Sequence, residues 1–204
     1  GVAAALSGQE RNGSKRLRLR IRDARRHQRH QDQRSEADAH AAGRRALRNA
    51  ALGYIMAVDD STARALTFLE FRRAENMTDA MAALECLARS GGAERERALA
   101  MFYDKWKDEA LVVDKWFRVQ ATCDLPGAAQ RIEKLLAHPA FDLKNPNRAR
   151  SVLHAFAADN PLHFHAADGS GYALVAARVV ELDRLNPQIA SRLARSFDRW
   201  CKYD

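Results

Sequence analysis

From Ala41 onward, apolar side chains recur every three or four residues, in blocks that short polar breaks separate. This spacing places the apolar positions on one face of an α-helix, whereas a half-buried strand would alternate every second residue. The breaks carry typical helix boundaries, such as Gly91-Gly92 and the Asn-Pro steps at 145–146 and 186–187. The pattern predicts an all-α body with short connections, which favours a HEAT-like α-superhelix of antiparallel helix pairs.

The same periodicity predicts which face each early helix buries. Asn76 or Thr78 is expected to cap the third helix, and Asn145 and Asn186 are expected to cap two later ones, because their side chains accept from free amides. The predicted stripe of the first helix consists of Ala46, Leu47, Ala50, Ala51, Tyr54 and Ile55, and that of the second consists of Ala65, Leu66, Leu69 and Arg73. The next three helices should bury Met77, Met81, Leu84 and Leu87, then Leu99, Phe102, Tyr103 and Trp106, then Val112, Trp116, Val119 and Gln120.

Residues 1–40 differ from the rest of the chain in composition. They contain no aromatic residue, and between Arg22 and Ala39 the only apolar side chains are alanines. Residues 11–34 hold ten Lys and Arg against two Asp, which accounts for the whole formal net charge of +8. Such a segment cannot bury enough apolar surface to offset its ordering entropy. We therefore divide the chain into a basic, mobile or weakly helical segment at 1–40 and a helical domain at 41–204.

Two interpretations of the basic segment follow from this composition. A cluster of Arg and Lys is typical of nucleic-acid binding, although no aromatic side chains are interleaved for stacking on bases. A helical-repeat scaffold with a nucleic-acid-binding arm is therefore the alternative function, and its affinity should be lost on removing residues 1–40. The other interpretation is that the segment is not translated in the native reading frame, since out-of-phase translation of GC-rich DNA tends to give sequence rich in Arg, His and Gln. Translating the neighbouring nucleotides in the other frames tests this hypothesis.

The sequence also favours one cellular compartment and indicates that the chain is part of a longer protein. No apolar run approaches the ~20 residues that span a bilayer, and the N-terminal apolar patch precedes its charges, unlike a secretory signal. Cys86, Cys123 and Cys201 are far apart and odd in number, which favours reduced thiols in a cytoplasmic protein. The chain lacks an initiator Met and stops without a terminal cap. We expect it to be a piece of a longer protein, truncated at the C-terminal end of its domain.

Candidate chemistry is concentrated between residues 145 and 172. His163 and His165 with Asp168 could be metal ligands, but no further ligand has a clear claim, so we favour a structural or surface histidine pair. Gly169-Ser170-Gly171 precedes a helix and could bind an anion through its amides. Since no strand leads into it, a turn and helix start is the favoured interpretation.

Four arginines lie near the starts of the two helices that open with Asn-Pro. Helical arginines are usually solvated or ion-paired. The alternative is that some face a cavity and bind a carboxylate through their planar guanidinium fork. These residues are Arg148, Arg150, Arg192 and Arg195.

The chain from Ala42 onward resembles the C-terminal helical domain of bacterial aminopeptidase N, a family of zinc metalloaminopeptidases. The resemblance covers about 160 residues, and it excludes residues 1–40, where the family has helices. The family also continues for a few helical turns past Asp204. The matching stretches are AGRRALRN (42–49), NMTDAMAAL (76–84), DKW (104–106), VVDKWFRVQAT (112–122), NPNRARS (145–151), FHAADGSGY (164–172) and NPQIASR (186–192).

The resemblance implies a role for this domain and for two of its arginines. In the family the domain closes over the active site, and its arginines line the internal chamber. The matching positions are Arg150 and Arg192, which we expect to bind peptide substrate, with Arg148 ranked lower. Expected partners are the catalytic and other domains of the same polypeptide, with neither membrane nor nucleic acid.

The catalytic signatures of the family are missing from this sequence. No His is followed by Glu, so there is no His-Glu-x-x-His, and Gly-Ala-Met-Glu-Asn does not occur. The zinc ligands of the family therefore lie outside this chain, and we expect the chain itself to bind no metal. We also expect no peptidase activity from this chain alone, because the chemistry needs a metal-activated water. Chelator-sensitive turnover of an Ala or Leu aminoacyl reporter would contradict this expectation.

Overall fold

The computed structural model describes residues 38–203. The contacts between residues divide the chain into two units, Gly1–Ala50 and Ala51–Asp204. Of the first unit, the structure describes only residues 38–50, which are helical. Helix α1 covers residues 38–56. The following helices are α2 (Ser61–Arg73), α3 (Met77–Ala88), α4 (Ala93–Trp106), α5 (Ala110–Ala121), α6 (Ala128–Leu136), α7 (Pro146–Ala149), α8 (Ala155–Asp159), α9 (Pro161–Phe164), α10 (Ser170–Asp183) and α11 (Pro187–Ala194). A π-helical turn at Arg150–His154 joins α7 to α8, and a 3₁₀ segment at Arg195–Lys202 follows α11.

The predicted all-α class is confirmed, since residues 38–203 form helices and turns and contain no strand. Successive helices pack against each other along the chain, α2 on α3, α3 on α4 and α4 on α5, as short loops require. Helix α5 is central because it contacts α4, α6, α8 and the π-helical turn. It thereby links the first helices to the part of the domain that carries the candidate site.

The core is built largely from the predicted faces of α3, α4 and α5. Leu84 and Leu87 are fully buried in α3, and Leu99 and Phe102 are buried in α4. On the predicted face of α5, Trp116, Val119 and Gln120 are buried and Val112 is half-buried. The indole Nε1 of Trp116 donates to the carbonyl of Leu99 at 2.9 Å. A buried indole N–H needs a hydrogen-bond acceptor, and here the acceptor belongs to α4. The bond therefore fixes α5 against α4.

The predicted face of α1 is wrong in the part that belongs to the second unit. Tyr54 is 82% exposed and Ile55 is 40% exposed, whereas Leu52 and Met56 are buried. Both pairs fit a helical period because α1 carries apolar residues on more than one side. Periodicity therefore identified the helix but could not decide which of its faces turns inward.

The predicted face of α2 is wrong for the same reason. Leu66 and Leu69 are exposed at 41% and 38%, while Phe68 and Phe71 are buried and form an aromatic contact with ring centroids 6.3 Å apart. Burying two phenyl rings removes more apolar area from water than burying two leucines. The aromatic face therefore packs inward and leaves an apolar face of α2 in solvent.

The predicted asparagine caps are confirmed at three helix starts. The Asn76 side chain accepts from the Asp79 amide at 2.9 Å, so Asn76, and not Thr78, caps α3. Asn145 accepts from the amides of residues 147 and 148, and Asn186 accepts from that of Ile189. In both later cases Pro occupies the first helical turn, where its missing N–H costs nothing. These caps place the starts of α7 and α11.

Candidate functional site

A cavity of about 640 Å³ lies at the C-terminal end of the second unit. The π-helical turn, α8, α10, α11 and the 3₁₀ segment all contribute to its wall. Its size is in the range of ligand pockets, and its lining combines apolar and strongly basic side chains. The apolar part comprises Ala149, Ala157, Ala158, Pro161, Leu182, Ile189 and Leu193.

Arg150 and Arg192, the two predicted substrate-binding residues, both line this cavity. Arg150 begins the π-helical turn, and Arg192 lies in the last turn of α11. Both side chains belong to exposed residues, so their guanidinium groups remain hydrated and available. The fold thus brings together two residues from separate Asn-Pro helices.

The cavity carries an excess of positive charge. Its charged residues are four arginines, at 150, 192, 195 and 199, and one carboxylate, Asp198. The Nε of Arg195 lies 3.7 Å from Oδ2 of Asp198, so this arginine is paired. Within residues 38–203, no carboxylate forms an ion pair with the other three. The site is therefore electrostatically suited to an anion.

Arg148 has a different environment from Arg150, although both belong to the NPNRAR motif. Its Nε lies 2.9 Å from Oδ1 of Asp114, and the two side chains are only 8% and 15% exposed. Its guanidinium also stacks 4.9 Å from the ring centroid of Phe117. Burial raises the pKa of Asp114, and the charge of Arg148 opposes this rise. Arg148 therefore anchors α7 to α5 and does not line the cavity.

The His163 side chain is used for structure. Its Nε2 lies 2.8 Å from the carbonyl oxygen of Asp124, beyond the end of α5. Asn160 donates to the neighbouring carbonyls of Ala121 and Cys123 at 3.2 and 2.9 Å. Arg131 donates to the carbonyls of Cys123 and Leu125 at 2.9 and 2.8 Å. Together these side chains satisfy the carbonyl of the last residue of α5 and three carbonyls of the loop that follows it.

The His165 ring points to other partners and lines the cavity. Its Nδ1 lies 2.6 Å from the Tyr172 hydroxyl, and its ring stacks on Tyr203 with centroids 3.6 Å apart and an angle of 7°. Burial lowers the pKa of His165, because it disfavours the charged imidazolium. His163 and His165 are therefore held by different groups, as the structural interpretation expects.

These residues do not fit a zinc site. Asp168 accepts from the Ser170 amide at 2.9 Å, and this hydrogen bond lowers its pKa. Between residues 38 and 203 no group of three or more His, Cys, Asp or Glu is placed to hold a metal ion. Structural and catalytic zinc sites need three or four such ligands. We therefore assign no metal-binding role to His163, His165 or Asp168.

The Gly169-Ser170-Gly171 sequence is a turn and a helix start. Gly169 has φ of +71°, a left-handed conformation that glycine adopts without strain, and α10 begins at Ser170. A Cβ at Gly171 would lie 2.5 Å from the carbonyl oxygens of both His163 and Phe164. Glycine is therefore required at 171 because the start of α10 packs directly on the backbone of α9.

Two cavity residues escaped the sequence-based prediction. His154 lies four residues after Arg150, and Arg199 lies seven residues after Arg192. A π-helical turn and a 3₁₀ segment interrupt the α-helical period at these positions, so α-helical spacing does not predict that both residues line the same wall as the two arginines. Neither hydrophobic periodicity nor capping predicts the π-helical turn, although such turns are frequent at functional sites.

The fold and the cavity together define a helical-repeat domain with a cationic pocket, and comparison with known proteins places it in a family. The family described as "Domain of unknown function (DUF3458_C) ARM repeats" matches residues 5–204. The chain therefore belongs to this family, and the predicted helical-repeat class is confirmed. The match includes most of the basic segment, which lies outside the described residues, so the division at residue 40 stays a prediction.

Individual relatives are aminopeptidases. The chain is 41% identical over 167 residues to aminopeptidase N of Caulobacter vibrioides and 40% identical over 161 residues to that of Escherichia coli. These matches cover 82% and 79% of this chain but 19% and 18% of the relatives. The crystal structure of Legionella pneumophila aminopeptidase A in complex with aspartic acid is similar, with 37% identity and a TM-score of 0.75. That match covers 80% of this chain and 19% of the other.

The resemblance to the C-terminal domain of aminopeptidase N that the sequence predicts is thus confirmed. The chain spans about a fifth of the length of the relatives that it matches. Among the helices of residues 38–203, none has the length and apolar character needed to cross a bilayer.

Proposed function

We propose that this chain is the non-catalytic C-terminal domain of a zinc-dependent aminopeptidase that removes N-terminal residues from peptides. In this role the domain caps the active-site chamber and controls the access of substrates. Arg150 and Arg192 bind the peptide beyond the scissile bond, through its backbone or its C-terminal carboxylate. The observation that carries the proposal is that both arginines line one cavity, although they come from separate motifs.

The chemistry of the cavity supports a peptide ligand. A guanidinium group presents a planar fork of N–H donors that matches a carboxylate, and such charge-assisted hydrogen bonds are stronger than neutral ones. The apolar part of the wall, which includes Ile189 and Leu193, can contact side chains of the peptide. Neither Arg150 nor Arg192 has an ion pair within residues 38–203 that binding would have to break.

The exposed apolar side chains of α1 and α2 support the other proposed partners, the remaining domains of the same polypeptide. Tyr54 of α1 is 82% exposed, Val58 in the turn after α1 is 71% exposed, and Leu66 and Leu69 of α2 are also in solvent. An apolar face of this kind is unusual on a free monomer and typical of an interface. The relatives are about four times as long as the chain, so other domains are available to cover it.

The compartment and the metal complete the proposal. Cys86, Cys123 and Cys201 are all free thiols, which supports a cytoplasmic protein. The zinc ion that relatives of this type require would be held by the catalytic domain of the longer polypeptide. This chain contributes enclosure and substrate binding, and its histidines contribute to its own packing.

Binding of peptides to the purified chain tests the role of the two arginines. We expect a short peptide such as Ala-Ala-Ala to bind more tightly with a free C-terminal carboxylate than as its amide. Arg150→Ala and Arg192→Ala should each weaken binding of the free acid about fivefold, as expected for an exposed ion pair worth about 1 kcal/mol. Isothermal titration calorimetry at low ionic strength measures these affinities.

A matched variant controls for the change in net charge. Arg184 is exposed at the end of α10 and lies outside the cavity, so Arg184→Ala should leave the affinity unchanged. Arg150→Lys retains the charge but loses the planar fork, and it should recover only part of the affinity. Equal binding of acid and amide, or no binding of either, would contradict the proposed role of Arg150 and Arg192.

A further inference from the structure

We propose that the cavity holds two carboxylates of one peptide, the C-terminal carboxylate and an adjacent acidic side chain, with Arg199 as the additional cation. Peptides that end in Asp or Glu are then the preferred substrate class. This inference rests on the proposed function, since it concerns the same cavity. It is carried by the three cavity arginines that have no carboxylate partner in the described residues.

The charge of the cavity exceeds what one carboxylate would balance. Among residues 38–203, only Arg195 of the four arginines in the wall is compensated, by Asp198 at 3.7 Å. Arg150 and Arg192 suffice for a single carboxylate, because one bidentate guanidinium already donates to both oxygens of a carboxylate. Arg199 is then a third cation, for which residues 38–203 supply no ion pair. A ligand with one negative charge would therefore leave the cavity strongly positive.

Arg199 belongs to the same wall as Arg192 but to a different element. It lies in the 3₁₀ segment Arg195–Lys202, while Arg192 lies in α11. The Arg199 residue is exposed and has no ion pair with a residue of the described part of the chain, so its guanidinium can reorient toward a ligand. A second binding group on a separate element suits a second anionic group of the same ligand.

The rest of the wall favours a peptide over a small inorganic polyanion. Seven of the lining residues are apolar, and the stacked rings of His165 and Tyr203 lie beside them. Such a surface contacts the methylene groups of an Asp or Glu side chain and of the peptide backbone. A fully hydrated ion would gain nothing from these contacts. The volume of about 640 Å³ is in the range that holds a drug-sized ligand, comparable to a short peptide.

Paired peptides that differ only in one charge test this inference. We expect Ala-Ala-Asp, with a free C-terminus, to bind the purified chain about fivefold more tightly than Ala-Ala-Asn at low ionic strength, as for one more exposed ion pair. The ratio should fall as salt is raised, because exposed charges are screened. Arg199→Ala should abolish the preference for Asp and leave the affinity for Ala-Ala-Asn nearly unchanged.

The controls separate this inference from the proposed function. Arg184→Ala removes one positive charge outside the cavity and should preserve the preference. Thermal unfolding followed by circular dichroism verifies that Arg199→Ala is folded, and Arg199→Gln provides a second variant that retains a long polar side chain. Equal affinities for Ala-Ala-Asp and Ala-Ala-Asn would overturn this inference, while a retained advantage of acid over amide would leave the proposed function standing. Failure of any peptide to bind would overturn both, and a preference that survives in both Arg199 variants would overturn the role of Arg199.

Discussion

Arg148 and Arg150 lie two residues apart in one motif, and the fold gives them opposite environments. Arg148 is buried, ion-paired with Asp114 at 2.9 Å and stacked on Phe117. Arg150 is exposed, lines the cavity and has no ion pair among the described residues. A step of two residues turns an α-helix by about 200°, so the two side chains must leave the helix on nearly opposite sides. The motif alone therefore cannot assign one role to both arginines.

The difference separates stability from binding. A buried ion pair is costly to break, because removing one partner leaves the other charge without compensation in a poorly solvated place. An exposed arginine contributes little to stability, and its charge remains available to a ligand. Substitutions at Arg148 and Arg150 should therefore affect different measurements, the first the stability of the fold and the second the binding of a ligand.

The largest expected effect is the loss of stability on substituting Arg148. Arg148→Ala leaves the half-buried Asp114 carboxylate without its partner, and we expect the free energy of unfolding to fall by about 3 kcal/mol, the lower end of the range for buried pairs. Arg150→Ala should change it by less than about 0.5 kcal/mol, as is usual for an exposed position. Urea denaturation followed by circular dichroism measures both values. Similar losses for the two variants would contradict the distinction between them.

A double substitution shows whether the loss comes from the unpaired carboxylate. In Arg148→Met combined with Asp114→Leu, the charge pair is replaced by apolar side chains of similar size. Such replacements are often neutral or stabilising, so the double variant should be clearly more stable than Arg148→Ala. Peptide binding through Arg150 should persist in the double variant.

The two asparagine caps that precede the cavity arginines should differ in how much they stabilise the fold. The Asn145 side chain accepts from two amides, at 3.0 and 3.3 Å, whereas that of Asn186 accepts from one, at 3.3 Å. Loss of a helix cap typically costs about 1 kcal/mol. We therefore expect Asn145→Ala to lower the free energy of unfolding by about 1 kcal/mol and Asn186→Ala by less, in the same urea experiment.

Conservative variants control for the cap itself. Asn145→Asp and Asn186→Asp keep an acceptor at each position, and a negative charge near a helix N-terminus is favourable. Both should therefore remain near the stability of the unsubstituted chain. A larger loss for Asn186→Ala than for Asn145→Ala would show that the number of accepted hydrogen bonds does not decide the cost.

The helices and their starts could be predicted from the sequence, because capping and periodicity are local properties. Asn76, Asn145 and Asn186 act as predicted, each within the three residues that follow it. The inward face of α2 could not be predicted, because Leu66 and Phe68 both fit a helical period and tertiary packing decides between them. Helix existence is therefore easier to infer than helix orientation.

The cavity was only partly predictable. The expectation for Arg150 and Arg192 came from the resemblance to a family, and helical spacing alone could not show that two distant helices meet. Arg199 was missed because its role depends on the 3₁₀ segment turning back to the same wall as α11. His154 was missed because the π-helical turn has no signal in hydrophobic periodicity. Such features depend on irregular helical geometry, which hydrophobic periodicity does not report.

The smallest expected effect is a pH dependence of stability that arises beside the Arg148 pair. His138 packs among the rings of Tyr103, Trp116 and Phe117, and its Nδ1 accepts from the Ala140 amide. Burial lowers the pKa of His138, and the positive charge of Arg148 lowers it further. The unfolded chain, with a histidine pKa of about 6.5, therefore binds a proton more readily than the folded one. The contribution of His138 to stability is complete above pH 6.5 and is lost as the pH falls toward the lower pKa of the folded state.

Unfolding in urea at a series of pH values between 5 and 8 tests this effect. His138→Asn keeps an acceptor for the Ala140 amide but does not titrate, so it should flatten the loss of stability below pH 6.5. Burial also lowers the pKa of His165, so His165→Asn is measured in parallel to separate the two contributions. The double variant Arg148→Met with Asp114→Leu should show a weaker pH dependence than the unsubstituted chain, because the second cause of the lowered pKa is gone. An unchanged pH profile in both His138→Asn and this double variant would mean that the buried arginine does not influence its neighbour's titration.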